Sequence, residues 1–493
     1  MKFSIASSIA ALLQIALIGA LEQKPIRRVG IIGSGVAGLT LAHALQELDQ
    51  VEIFDARSEL NRKEGAGFQL NGGLASFEAD LQRAVAEAGM PLEGIQSRSK
   101  AWFGKTENQD YSTLLQLNIN ELIRQASEEV SDELLDDDGN AKWTAITRGA
   151  LQEVLRNNLP SSVPIRFNKK LTSINEHESG GVLCGFDDGS CSGPFDMVVG
   201  CDGIRSATKE FVNTAKIEEK KTSLPPSNAI YSGIRIRFAV VDETVEEKQT
   251  SGTKLTQYFG DGGYALHGKF GAGKGRPLTS MAVFVYLDEN YIGPFQVAKE
   301  RKDRVTVGEN ADWTQTVEQQ LESSRSNMLS QLTAFNIPDK DKALESVIRN
   351  ADRIYELGSY FHNPFTRWSR ILKNGSCVVL CGDAAHAMPP FLGQGSNQAI
   401  QSAYCLGNKI LEYNQQLEDE NGDLTLEKTL ATYREVRWKP TFNILWKALF
   451  LGYLETGGGN GIYSKPRDSF FQLMGAVGVA KGVLLGAAVP KIR

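Results

Sequence analysis

Along the first sixty residues the hydrophobic pattern switches between strand-like runs and a helical repeat. Val29 to Ile32 is a short β-branched run, as a buried strand requires. Leu39, Leu41, Ala42, Leu45 and Leu48 then recur at helical spacing up to Asp49, and Val51 to Phe54 is a second apolar run. The pattern predicts strand, helix, strand, with Gly33-Ser34-Gly35-Val36-Ala37-Gly38 as the first turn and Asp55 closing the unit. Two more buried strands are predicted where Phe195 to Gly200 runs into Cys201-Asp202-Gly203 and where Cys377 to Cys381 runs into Gly382-Asp383. A Pro/Gly loop from Pro389 to Gly395 follows, leading into a helix that carries Ala399, Ile400, Ala403, Leu406 and Ile410. In the middle of the chain, Ala229 to Val241, Leu255 to Phe259, Gly263 to His267 and Met281 to Leu287 alternate in the manner of strands.

Each glycine of the first turn has a physical task. Gly33 permits the tight turn, Gly35 lets backbone N–H groups approach a pyrophosphate, and Gly38 lets helix and strand pack closely. The phosphates then face a helix N-terminus, where orphan N–H groups and the macrodipole favour negative charge. Asp55 lies 20 residues beyond Gly35 (55 − 35), where a carboxylate can accept both ribose hydroxyls. These features predict a dinucleotide site and leave open which dinucleotide it takes.

With the Asp202-Gly203 and Gly382-Asp383 turns, the glycine start resembles the three fingerprints of the flavin-dependent monooxygenases of the single-component aromatic hydroxylase type, and of their relatives that epoxidise isoprenoids. Gly65-Ala66-Gly67-Phe68-Gln69-Leu70 is similar to that family's loop near the flavin, and Thr147-Arg148-Gly149-Ala150-Leu151 to its arginine-bearing helix start. The resemblance implies an α/β chain: a doubly wound FAD-binding Rossmann-type domain, an antiparallel β-sheet substrate domain and C-terminal helices. It divides the chain into a signal peptide or membrane anchor (1–21), a first FAD-binding part (26–225), a substrate sheet (226–345), a returning FAD-binding part (346–412) and a C-terminal helical region (413–493). The implied cofactor is FAD, with NADPH or NADH as a transient reductant and O2 as co-substrate. Oxygen adds at flavin C4a and passes from the hydroperoxide to an electron-rich small molecule. The implied flavin contacts are Gly33, Gly35, Val36, Ala37, Gly38, Asp55, Arg57, Gly67, Arg148, Asp202, Asp383, Gly393, Gly395 and Ser396. Many members carry an acid in the helix after the second loop glycine; Gln401-Ser402 stand in its place here.

Hydroxylation of an aromatic or polyketide-like molecule is the leading expectation, epoxidation of an isoprenoid or lipid alkene the alternative, and a non-turnover flavin-binding redox sensor a third reading. Tyr231, Tyr258, Tyr264, His267 and Phe284 are candidates to line the substrate site. His386, Pro389 and His267 are the catalytic candidates, with a loop-locking hydrogen bond as the other role for His386. The chain has 53 Lys+Arg against 59 Asp+Glu, a net charge of −6, which offers no electrostatic footprint for nucleic acid. Its six cysteines lack a CxxC pair and its five histidines lack HExxH spacing, so a zinc site is not expected. Cys184 and Cys191 flank the turn Asp187-Asp188-Gly189 and are candidates to pair in an oxidising compartment. Met1 to Leu21 has one cation, Lys2, followed by an apolar run. It reads as a signal or membrane anchor, directing the chain to the secretory pathway, an endomembrane, or an organelle reached through a signal peptide. Asn414 to Asp423 is expected to be a loop, Trp438-Lys439-Pro440 to break or kink a helix, and Phe470 to Val489 to be a packed extension or a membrane-lying segment.

Overall fold

The computed structural model describes residues 23–63, 65–100, 111–214, 229–244, 252–288, 304–306, 317–419, 424–457, 463–476 and 478–492. The expected signal or anchor lies outside the described residues. The nucleotide half is built on a six-stranded sheet in the order Ser369–Ile371, Cys377–Leu380, Met197–Gly200, Arg28–Ile32, Gln50–Phe54 and Ile165–Arg166. Its strands run parallel except for the edge strand Ser369–Ile371. Parallel strands covered on both faces need uninterrupted apolar runs, and those runs made the central four strands readable in the sequence. Val29 pairs with both Met197 and Val51, and Met197 pairs with Cys377. The strands that precede the three glycine turns are therefore neighbours, and their C-terminal ends open on one edge of the sheet.

A ten-stranded sheet forms the second half. Its order is Arg304–Thr306, Arg353–Phe361, Ile230–Asp242, Thr279–Leu287, Gly263–Phe270, Thr253–Phe259, Met90–Lys100, Thr144–Thr147 and Gly67–Leu70, with Tyr111–Asn118 beside Met90–Lys100. All pairs are antiparallel except Thr253–Phe259 with Met90–Lys100. The four alternating segments are all strands, but the sheet is not confined to 226–345: five of its strands come from earlier or later in the chain. Met90–Lys100 (MPLEGIQSRSK) is too polar to announce itself, and its strand conformation comes from the partners on either side.

The two faces of this sheet do different things. Tyr258, Ala265, Ala282 and Phe284 pack with Leu321, Met328, Leu344 and Ile348 from the helices Val317–Ala334 and Ala343–Asn350. Ile236, Tyr264, Leu266 and Val285 belong to the opposite face. The period of two along each strand sets this division.

Three local expectations are corrected. The helix Leu426–Glu455 continues through Pro440. The proline removes the ladder donor that would reach the Val436 carbonyl, and in the same turn the Thr441 hydroxyl bonds the Arg437 carbonyl at 2.8 Å. The segment from Asn414 is helical as far as Glu418, because Asn414 exchanges two hydrogen bonds with the backbone of Ile26, at 2.8 and 2.7 Å. Cys184 and Cys191 do not pair. Cys184 sits opposite Ser192 and Cys191 opposite Gly185, so the two thiols point to opposite faces of the hairpin, one buried and one exposed. At the C-terminus, Ser464–Ala476 and Val479–Ala488 form two helices bent by 74°. Among the described residues no single helix is long and apolar enough to cross a membrane. Phe471 stacks on Phe259 of the large sheet with centroids 4.9 Å apart, as a packed extension does.

Candidate active site

Two kinds of glycine shape the cleft at the open edge of the parallel sheet. At Gly33, with φ +103°, a Cβ would come within 2.5 Å of the Cys201 carbonyl oxygen, and at Gly38 within 1.9 Å of the Gly33 oxygen. These positions hold the turn tight against the sheet. At Gly35, Gly203 and Gly395 a Cβ would meet nothing within 4 Å. Three separate turns at the same edge of the sheet thus present bare backbone. The helix Val36–Ala44 starts there; Leu39 is the first residue to bond back, to the Gly35 carbonyl at 3.0 Å, so Val36, Ala37 and Gly38 point N–H groups with no intrahelical acceptor. Gly395 and Ser396 begin the 24-residue helix Gly395–Glu418 in the same way. Two helix N-termini on one cleft favour an anionic ligand.

The acids on this cleft differ in how they are held. Asp55 is buried and accepts hydrogen bonds from the Ser34 N–H (2.7 Å), the Ser34 hydroxyl (2.6 Å) and the fork of Arg57 at 2.9 Å to each oxygen. Burial alone would raise its pKa; the bonds from Arg57 and Ser34 outweigh that and hold it at about 2. A ribose hydroxyl reaching Asp55 must displace one of these donors, since a carboxylate offers only about four lone-pair sites. Asp383, at the start of the short turn Asp383–His386, is walled by protein yet exposed on its cleft side. Burial raises its pKa and the charge of Arg148 opposes the rise. Asp202 is tied to the helix that follows its turn. Its carboxylate takes the Ser206 hydroxyl (2.6 Å) and the Thr208 N–H (3.0 Å) at the head of the helix Ala207–Asn213. These bonds give Asp202 a capping role that fixes the Gly203 turn.

Sequence reasoning missed the residues that lock the site together. Asn397 is fully buried; its Oδ1 accepts from the N–H of Asn71 (2.8 Å) and Gly73 (3.0 Å), and its amide donates to the Gln69 carbonyl (3.0 Å). It ties the Gly395 helix to the Gly67–Leu70 strand. Arg437, also buried, donates to Ser402 (3.1 Å), Gln401 (3.2 Å) and Gln398 (2.5 Å). Gln401 and Ser402 receive a buried cation through neutral oxygens. A long-range pair of this kind leaves no periodic signal in one sequence.

A cavity of about 450 Å³ opens between Gly67–Gln69, the Pro390–Gly393 loop, the free face of the large sheet and the C-terminal helices. Its wall includes Ile95, Leu115, Ile236, Phe238, Leu255, Leu266, Phe270, Met281, Val283 and Val285. The polar side chains among the described lining residues are few, chiefly Gln69, Ser97, Gln257, Lys447 and Glu455. Gln69 is oriented by the Trp143 indole, which donates to its Oε1 at 2.9 Å. At Gly393, with φ +62°, a Cβ would come within 2.9 Å of the Gln69 amide nitrogen. Of the five aromatic candidates only Tyr264 turns to the cavity. Tyr258 and Phe284 pack under the helices, and Tyr231 bonds Asp288 at 2.9 Å and contacts Tyr360. His267 borders the cavity, but its cross-strand neighbours Thr256 and Ala282 mark the helix-covered face. Burial lowers its pKa while Asp339 and Asp341, from the loop under that face, oppose the shift. His386 lies behind the cleft, bonded to the Ser402 hydroxyl at 2.8 Å and packed on Trp368 at 5.3 Å. Burial brings its pKa down to about 3, so it stays neutral and locks the loop. Pro389 is buried, and its successor Pro390 reaches the cavity.

The FAD binding domain family matches residues 27–320 and 363–435 of the chain. The FAD-dependent monooxygenase ausM of Emericella nidulans is 24% identical over 441 residues, covering 87% of this chain and 79% of its own. An FAD-dependent monooxygenase of Gibberella moniliformis is 26% identical over 434 residues, with 80% and 81% covered. Among solved structures, HpxO of Klebsiella pneumoniae complexed with FAD and uric acid aligns with a TM-score of 0.62 at 17% identity, over 94% of this chain and 97% of that one. The 2,6-dihydroxypyridine-3-hydroxylase of Arthrobacter nicotinovorans aligns with a TM-score of 0.60 at 16% identity, over 89% and 94%. At these identities the structural likeness shows the shared fold. With the family matched over well more than half of its length, the chain belongs to the single-component FAD-dependent monooxygenases and is an oxidoreductase.

Proposed function

We propose that this enzyme uses NADPH or NADH and O2 to oxygenate a mainly apolar small molecule, by epoxidation of an isoprenoid or lipid alkene in preference to hydroxylation of an aromatic or polyketide-like ring. The observation that supports this order is the carbon-rich wall of the cavity. A phenol becomes strongly electron-rich by ionising, and a buried phenolate needs charged or polar neighbours. An alkene is electron-rich without ionising and suits an apolar wall. The test is oxygen-dependent NADPH oxidation by the flavin-loaded enzyme with farnesol and, separately, orsellinic acid. Stimulation by farnesol with a product one oxygen heavier is expected. Stimulation by orsellinic acid alone would reverse the order, and no turnover in a yellow protein would favour the redox sensor.

FAD fits the cleft by its open backbone, its two helix N-termini and the accessible acid. Gly35, Val36 and Ala37 would meet the pyrophosphate, Gly395 and Ser396 the flavin edge, and Asp383 a sugar-chain hydroxyl. When bound, FAD supplies the oxygen-activating chemistry; the chain positions it and excludes water through the apolar cavity. Asp383→Ala is expected to fold normally and to lose most of its flavin, on the order of tenfold in affinity. The check is the flavin-to-protein absorbance ratio after purification, and an ordinary ratio removes Asp383 from the site.

A further inference from the structure

One ionisable group in the cavity wall is left without a task by the reading above. Glu455 is the last residue of the helix Leu426–Glu455, only 5% exposed, and borders the cavity. Its Oε2 has no hydrogen-bond partner among the described residues. Gln257 and Tyr264, from two strands of the floor, stand near the carboxyl. The Gln257 amide is itself oriented, because its Oε1 accepts the Ser97 hydroxyl at 3.0 Å and leaves the NH2 end for Glu455. The nearby cation does not form an ion pair with Glu455. Arg467 donates to the carboxylate of Asp468 (2.8 Å) and to the carbonyls of Gly260 (2.9 Å) and Glu455 (3.1 Å).

We propose that Glu455 is the polar anchor of the cavity, donating a hydrogen bond from its carboxyl to a single carbonyl or hydroxyl oxygen of an otherwise apolar molecule. The inference deepens the proposed function, on which it rests, by adding one neutral oxygen to the apolar substrate. The geometry favours the neutral acid over the carboxylate. The group is desolvated, its cation is spent on another acid, and it stands at a helix C-terminus, where the macrodipole opposes negative charge. Burial accordingly lifts its pKa to about 7, with Gln257, Tyr264 and Arg467 working against the rise. The charged and titratable groups facing it are Tyr264 from the floor, Arg467 and Asp468 from the helix Ser464–Ala476, and Lys447 two turns back on its own helix. A buried unpaired acid is costly to retain, and a ligand oxygen that pairs with it recovers that cost.

The test compares binding of the hydrocarbon androstane and its ketone androstanone to the flavin-loaded enzyme, read from the flavin absorbance. Wild type is expected to prefer the ketone by about tenfold. Glu455→Leu should remove the preference, and Glu455→Gln, which keeps an N–H donor, should retain it. In wild type the preference should also fade as pH rises through about 7, because the ionised group has no proton to donate; in Glu455→Gln it should be flat. Equal binding of both probes, binding of neither, or a preference that survives in the leucine variant or at high pH overturns the proposal. The wild-type pH series decides the matter even if the leucine variant fails to fold. A colourless protein would instead refute the flavin reading, so the two failures are distinct.

Discussion

Gly35→Val is expected to yield a folded protein that purifies without flavin. The backbone at Gly35 is extended, with φ −72° and ψ −176°, which a β-branched residue adopts readily, and a Cβ there meets no protein atom within 4 Å. The fold is therefore charged only with the poorer helix cap that valine makes, about 1 kcal/mol. The ligand is charged far more, because the isopropyl group stands where a pyrophosphate must approach the N–H groups of Val36 and Ala37. A loss of at least about hundredfold in FAD affinity is expected, measured by flavin titration alongside thermal unfolding of the flavin-free protein. Retained affinity would show that the pyrophosphate lies elsewhere.

Gly38→Ala should fail in the opposite way. One methyl group at Gly38 would lie 1.9 Å from the Gly33 carbonyl oxygen, a contact with backbone that no rotamer change relieves. Either the helix Val36–Ala44 lifts off the sheet or the turn opens, and both disturb strands that are buried on two faces. We expect a destabilisation of roughly 3 kcal/mol or more, or at least about 3 °C in Tm, in protein stripped of flavin. Two glycines three residues apart thus separate folding from binding. An unchanged Tm with weakened flavin binding would show that the turn can relax, and that Gly38 acts on the ligand instead.

The parts of the molecule legible in the sequence are those whose physics is local. The strands around Ile31, Val199 and Val379 lie in a parallel sheet covered on both faces, so every position is apolar. The turns after them need glycine for steric reasons that any single sequence displays. The capping role of Asp202 was not legible, because an acid beside a glycine turn looks the same whether or not it caps the next helix; Ser206 and Thr208, which the structure brings to its oxygens, define that role. His267 misled because a residue's strand was readable but its face was not. Asn397, Arg437 and Glu455 were not legible at all. Their partners stand 326, 36 and 191 residues away in Asn71, Gln401 and Tyr264, and nothing local marks a buried polar residue as one half of such a pair.

The alternation of faces along the central strands of the large sheet has a consequence for how such an enzyme changes over generations. Leu266 and Val283 look toward the cavity while their immediate neighbours Ala265 and Ala282 look toward the covering helices. A mutation in one codon therefore alters selectivity, and a mutation in the next alters robustness, with little leakage between them. Inherited variation can redraw the chamber along one set of alternate positions while selection for foldability polices the other, so new specificities are within reach of single steps that leave the scaffold intact.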